Sequence, residues 1–176
     1  MENRRNKGVR MVSAVILLFL GTFFLHNNVF ASYVLPYPSY MPGNKLYRLS
    51  RLIDTFNKYW YFGNIAQVKY HLGLSDKYLV EAKTLFDYNQ YLLAIDALHR
   101  SSDQFAAIMP NVLTAEQSGD DMTQFRSEIQ EASIAHKTVI TTLLQTTPNE
   151  FLWQPERASA TRLYIHNELS TALSIQ

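Results

Sequence analysis

The stretch "NIAQVKYHLGLSDKYLVEAKTLFDY", residues 64–88, decides the fold class, because its apolar residues recur every three or four positions. This spacing is typical of one face of an α-helix, whereas a half-buried strand alternates apolar and polar residues. Residues 91–109 and 122–143 repeat the helical spacing. Strand-like alternation is sustained nowhere in the sequence, so the pattern predicts an all-α protein.

Turn residues divide the chain into helices predicted at about residues 45–62, 65–87, 91–117 and 155–174, with a further helix between Ser118 and Pro148. Asn64 is predicted to cap the second helix, and Pro110 to kink the third or end it near Met109. Pro155 is predicted to open the last helix. Because short connections make consecutive helices antiparallel, we expect an antiparallel bundle of four to five helices.

Three polar residues, Ser75, Ser102 and His136, interrupt the apolar rows. They predict an uneven core or a seam that is open to solvent. The last predicted helix has only a weak apolar row, so we expect it to pack loosely on the others.

Residues 1–31 have the three parts of a secretory signal peptide. Four basic residues precede an uncharged apolar run at residues 11–25, and Val29 and Ala31 form a small-residue cleavage site. The alternative is an uncleaved membrane anchor, because a spanning helix needs about 20 mostly apolar residues. Either form predicts an extracytoplasmic location for the rest of the chain: secreted, periplasmic, or anchored on the outer side of the cytoplasmic membrane.

The charge balance argues against a nucleic-acid partner. Without residues 1–31, 12 basic and 14 acidic residues remain. The chain therefore has no excess of positive charge with which to bind a polyanion. The sequence has no Cys. A chain of this length can bury about two thirds of its unfolded surface, and needs no disulfide to do so.

Residues 32–44 are predicted to form an extended strap, because Pro36, Pro38 and Pro42 favour extended backbone. Its many apolar and aromatic residues make it too apolar for a free linker. We expect it to lie in a groove between helices and complete the core; a docking peptide or a ligand-facing lip is the alternative. Asn44 is predicted to cap the first helix of a bundle domain at residues 45–176.

The segments "YVLPYPSYMPGNKLYRLSRLID" (33–54) and "VKYHLGLSDKYLVEAKTLFDYNQYLLAIDAL" (68–98) carry a family resemblance. With them, residues 33–105 resemble a family of exported bacterial domains of unknown function. In that family, a "YxLPYPGxLPxxPLY" segment follows the signal and leads into a small helical bundle. The sequence departs from this pattern at Ser39, where the family usually has Gly, and at Lys45, where it usually has Pro. The resemblance implies a fold and a location, and no activity.

The strap and the aromatic stretch "NKYWYFGN", residues 57–64, are the candidate contact surface, because amphipathic rings favour boundaries between apolar and aqueous regions. Packing within the core is the alternative for both. The candidate binding residues are Tyr33, Pro36, Tyr37, Pro38, Tyr40, Tyr59, Trp60 and Tyr61.

No catalytic motif is present in the sequence: it has no G-x-S-x-G, no S-x-x-K and no Gly-rich phosphate loop. We therefore predict a non-enzyme without a cofactor. No Glu stands three positions before a His, as it does in carboxylate-bridged metal bundles. Four residues are interpreted as surface or seam histidines: His71, His99, His136 and His166. Three charged residues are interpreted as a solvated helix face: Asp76, Lys77 and Glu81.

These patterns predict an exported or membrane-tethered helical protein of the cell envelope. It would act as a non-catalytic interaction or accessory module, with an envelope protein or a membrane surface as its partner. One alternative is a small-ligand or metal-binding bundle that uses inward histidines. Another is a tetratricopeptide-like hairpin scaffold, because residues 82–101 match one such hairpin. An envelope hydrolase is the third.

Overall fold

A computed structural model describes residues 33–38 and 40–176, except for the side chains of residues 58 and 59. The predicted signal peptide or anchor at residues 1–31 lies outside the described residues and stays a prediction. The elements in chain order are α1 (Tyr47–Trp60), α2 (Asn64–Asp87), α3 (Tyr91–Ala106), α4 (Ile108–Gln117), α5 (Thr123–Thr146), β1 (Phe151–Trp153), β2 (Thr161–Leu163) and α6 (Ile165–Ile175).

The described chain is mostly helical, and the all-α prediction is confirmed at that level. Helix α2 packs against α3, α4 and α5, and α6 packs against α3 and α5. In the described part of the chain, no helix is both long and apolar enough to cross a bilayer.

In the part of the chain that the structure describes, two buried apolar clusters hold these helices together. The first cluster comprises Leu79, Ala82, Leu85, Phe86, Tyr91, Ala94, Ile95, Ala97, Leu98, Ile140, Leu143, Ile165, Leu169 and Ala172. The second cluster comprises Val68, Leu72, Phe105, Ile108, Val112, Ala115, Met122, Ile129 and Ala132. Both are built from the apolar rows of the sequence, because residues three and four apart share one face of a helix.

The polar residues that interrupt those rows lie between the two clusters. On α2, Ser75 and Asp76 separate second-cluster residues from first-cluster ones, and on α3 Ser101 does the same. His136 has that position on α5. We call these four buried residues the polar layer. The sequence predicts an uneven core or a solvent-open seam here. The core is uneven, because buried polar residues divide it, but the seam is not open, since Ser75 and His136 are fully buried and Ser102 is buried as well.

The end of the chain differs from the sequence-based prediction. Residues 151–153 and 161–163 pair as a short antiparallel hairpin, with Phe151 opposite Leu163. The last helix starts at Ile165 and not at Pro155, since proline also favours turns. This helix is not loosely packed, because Ile165, Leu169 and Ala172 are buried in the first cluster.

Of two other local predictions, the cap at Asn64 is wrong and the break in the third helix is confirmed to within two residues. Asn64 does not cap α2 through its side chain; Gly63 is the N-cap residue, and its φ of +89° suits glycine. The predicted third helix is divided in two at Ala107, slightly earlier than expected. Pro110 lies in the first turn of α4, where its missing N–H has no intrahelical partner to lose.

Candidate functional site

The buried carboxylate of Asp76 is the centre of the polar layer. Its Oδ1 lies 2.7 Å from His136 Nε2, and its Oδ2 accepts a 2.5 Å hydrogen bond from the Tyr33 hydroxyl. Tyr33 is half-buried and packs against the second cluster. Two oxygens of one carboxylate therefore connect the start of the described chain to α2 and α5.

The other polar side chains of the layer also lie close to polar partners. His136 Nδ1 lies 2.7 Å from Gln176 Oε1, and the Phe105 ring lies 5.3 Å from the His136 ring. Ser75 and Ser101 each donate a hydrogen bond to the other's backbone carbonyl, at 2.9 and 2.8 Å. Each of the four side chains therefore has a polar partner within the protein, whereas the hydroxyl of neighbouring Ser102 is buried without one among the described residues.

A cavity of about 460 Å³ borders the layer and is lined by Tyr33, Lys69, Leu72, Gly73, Asp76, Gln124, Phe125 and Glu128. Burial, reinforced by the hydrogen bond to Asp76, raises the pKa of the Tyr33 hydroxyl above its usual value. The hydroxyl is therefore a weaker acid than a free tyrosine, and both Asp76 oxygens already accept hydrogen bonds. This arrangement favours a structural role over proton transfer.

A second tyrosine contacts a second buried carboxylate of α2. The Tyr47 hydroxyl donates a 2.7 Å hydrogen bond to Glu81 Oε1, while Glu81 Oε2 is buried and has no hydrogen-bond partner among the described residues. Arg51 and Arg100 each donate to the Tyr47 oxygen, at 3.3 and 3.2 Å. Burial raises the pKa of Glu81, although the Tyr47 hydrogen bond and nearby Arg51 oppose that shift.

Helix α1 faces the rest of the protein with its polar side. Lys77 Nζ on α2 lies 2.5 Å from Asp54 Oδ2 and 3.0 Å from Ser50 Oγ. The Arg51 guanidinium lies 5.3 Å from the centre of the Tyr78 ring. Polar and charged side chains thus provide much of the contact between α1 and α2, together with the Tyr47 hydroxyl.

The opposite side of α1 is apolar and faces solvent. We call it the α1 apolar face; its six residues, all at least partly solvent-exposed, are Leu46, Leu49, Leu52, Ile53, Phe56 and Trp60. Phe56 is 63% exposed and Trp60 is 82% exposed. These two side chains alone expose roughly 200–350 Å² of aromatic surface. Exposed apolar patches of several hundred Å² commonly mark interaction sites.

The structure separates the sequence-predicted strap residues into two groups. Tyr33 is anchored at Asp76, while Pro36, Tyr37 and Pro38 are exposed, Tyr37 to 96%. Tyr40 borders a smaller cavity of about 250 Å³ together with Leu46, Leu49, Ser50, Ile53 and Asp54. Tyr40 therefore adjoins the α1 apolar face.

The aromatic residues at the end of α1 also include both exposed residues and one that contacts α2. Trp60 belongs to the α1 apolar face, whereas the Tyr61 ring lies 5.4 Å from the Tyr70 ring of α2. Phe62 is exposed. Tyr59 lies in α1, but its side chain is outside the described part of the structure.

The histidines contact different partners. His71 Nδ1 lies 2.8 Å from Gln104 Oε1, and His99 Nε2 lies 2.7 Å from Glu168 Oε2 near the surface. His166 Nε2 lies 3.0 Å from the carbonyl oxygen of Thr147. Among the described residues, no three metal-binding side chains cluster together.

Sequence reasoning missed four residues of these networks. Asp76 and Glu81 are buried, not part of a solvated helix face, and Lys77 pairs with Asp54 and not with Glu81. His136 was interpreted as a surface or seam residue, but it is fully buried. The one available signal was the position of His136 in an apolar row, since a buried histidine needs polar partners from elsewhere in the chain.

Comparisons with models of protein families, with curated proteins and with solved structures found no match. The resemblance to exported bacterial domains therefore stays a prediction.

Proposed function

We propose that the chain is an exported or membrane-tethered helical module of the cell envelope that acts by contact and not by catalysis. Its helices would form an antiparallel bundle, and residues 32–44 would be a strap that is anchored on the bundle through Tyr33. The predicted signal or anchor at residues 1–31 supports the location. The interaction surface would be the α1 apolar face with the neighbouring residue Tyr40.

The orientation of α1 is the observation that carries this proposal. An amphipathic helix normally buries its apolar side against its own domain. Here the polar side is used for that contact, through Asp54 and Tyr47, and the apolar side is left for another surface. An interaction module needs such a surface, whereas a domain without partners gains nothing from exposing it.

The absence of cysteine from the sequence permits a direct test. Phe56→Cys and Ile134→Cys would each place one thiol at a site of nearly equal exposure, 63% and 60% in the wild-type side chains. Phe56 is on the α1 apolar face, and Ile134 is on α5. Each variant of the full-length chain would be made in bacteria and labelled with a membrane-impermeant thiol reagent in spheroplasts, in lysate and as purified protein.

We expect Ile134→Cys to react fully in spheroplasts, because the domain lies outside the cytoplasmic membrane. We expect Phe56→Cys to react with the purified protein and to be protected in spheroplasts, because its surface is covered there. Ile134→Cys that reacts only after lysis would refute export. Equal labelling of the two variants in spheroplasts would refute the interaction surface.

A further inference from the structure

We propose that the α1 apolar face binds a lipid bilayer, with α1 lying in the interface parallel to the membrane plane. This inference rests on the proposed function and names its partner. Three observations carry it: the length and shape of α1, its charge, and its distance along the chain from residues 11–31.

The length of α1 fits a helix that lies on a bilayer. Its 14 residues, Tyr47–Trp60, are too few to span the hydrocarbon core, which requires about 20. Leu49, Ile53 and Phe56 follow one another at helical spacing along the exposed side, and Trp60 completes the row at the end of the helix. One strongly apolar side opposite a polar one is the pattern of an interfacial helix. Its terminal Trp60 also fits, because indole rings favour the headgroup region.

The charges of α1 are complementary to anionic headgroups. Although the whole chain is nearly neutral, residues 45–60 contain four basic residues and one acidic residue. The acidic residue, Asp54, is paired with Lys77 and is not free to repel a negative surface. Of the four basic residues, Arg51 is used within the protein at Tyr47 and Tyr78, whereas Lys45 and Arg48 are exposed. Basic residues beside an apolar helix face strengthen binding to anionic lipids.

The chain length allows α1 to reach a bilayer that contains the predicted anchor. Tyr33 is held at Asp76, so Ser32 alone connects residues 11–31 to the folded part of the chain that carries α1. So short a connection keeps α1 at a high effective concentration near the surface. In a chain cleaved before Ser32, the same face would bind the bilayer from solution, and more weakly.

The two tryptophans of the chain provide a matched pair of probes. Trp60 belongs to the α1 apolar face, whereas Trp153 is on β1 and is 37% exposed. Trp153→Phe leaves Trp60 as the only tryptophan, and Trp60→Phe leaves Trp153. Each purified full-length protein would be reconstituted in vesicles of phosphatidylglycerol and phosphatidylcholine, with and without bromine on the acyl chains.

We expect brominated lipid to quench Trp60 and shift its emission to shorter wavelength, and to leave Trp153 unchanged. In that background, Phe56→Ser should reduce Trp60 quenching, because a fully buried aromatic side chain contributes about tenfold or more to partitioning. Unquenched Trp60 would overturn the inference. A blue shift of Trp60 without quenching would also overturn it, since the ring would then be buried in protein, such as a second copy of the chain.

The two proposals fail in distinguishable ways. If Trp60 is unquenched while Phe56→Cys remains protected in spheroplasts, α1 binds a protein and the proposed function stands. If Trp60 is unquenched and Phe56→Cys is labelled freely, both proposals fail.

Discussion

Replacing Asp76 with alanine should be among the most destabilising single substitutions in the protein. It would remove the acceptor of the Tyr33 hydroxyl and leave His136 Nε2 without its partner in the polar layer. A buried group left without its hydrogen-bond partner costs about 1–3 kcal/mol, so the two losses together should cost about 3–5 kcal/mol. His136 is fully buried, so water cannot replace the lost partner there.

This loss is large relative to the total free energy of unfolding. A domain of ordinary stability has a free energy of unfolding of about 5–15 kcal/mol, so Asp76→Ala should remove about a fifth or more of it. For a domain of this size, the melting temperature should fall by about 10–15 °C. Urea unfolding of the protein from Ser32 onward, followed by circular dichroism at neutral pH, would measure the loss, with the m-value unchanged.

Two variants serve as controls for Asp76→Ala. Asp87→Ala removes an exposed carboxylate at the end of the same helix, where the pair with Lys83 is worth at most about 0.5 kcal/mol. Tyr33→Phe removes one hydrogen bond to Asp76 and should cost about 1.5–3 kcal/mol. If Asp76→Ala were as stable as Asp87→Ala, the polar layer would not hold the clusters together and the reasoning would be wrong.

Two further predictions concern glycine and tyrosine. Gly73→Ala should raise the free energy of unfolding by about 0.5–1 kcal/mol, because Gly73 lies inside α2, where alanine is favoured over glycine. A Cβ at this position would meet no described atom within 4 Å. A loss of stability in urea would contradict this prediction. Burial, the largest cause, raises the pKa of Tyr33, Tyr47 and Tyr78, the last to about 12. Tyrosines that ionise more readily in the unfolded chain add stability that is complete below pH 10 and is lost as pH rises toward 12, by about 1.4 kcal/mol per pH unit for Tyr78. Alkaline unfolding would measure this slope, and a flat profile between pH 10 and 12 would exclude it.

The helical content could be predicted from the sequence because each apolar row repeats over several turns. Leu72 and Leu79 on α2, for example, are both buried as their spacing indicates. The hairpin could not be predicted, since strands of three residues are too short to show alternation. Pro155 added to the error, because proline is favoured both at helix starts and in turns.

Only part of the candidate site could be predicted. Phe56 and Trp60 have helical spacing in the sequence, but such spacing specifies a face of the helix and not the surface that covers it. The inward orientation of the polar side depends on Lys77 and Asp54, which are 23 positions apart in the sequence. The contact between Tyr33 and Asp76 spans 43 positions. No local pattern connects residues so far apart.

The two tyrosine contacts with α2 have a consequence for cooperativity. Tyr33 at Asp76 and Tyr47 at Glu81 fix both ends of the segment between them, so together they close a loop on the surface of α2. Closing such a loop costs conformational entropy that the two contacts share. Once either hydroxyl is removed, the loop is already partly open. Removing the second hydroxyl should then lower the free energy of unfolding by less. The substitutions Tyr33→Phe and Tyr47→Phe should therefore cost less together than the sum of their separate effects, although the two rings bind different carboxylates.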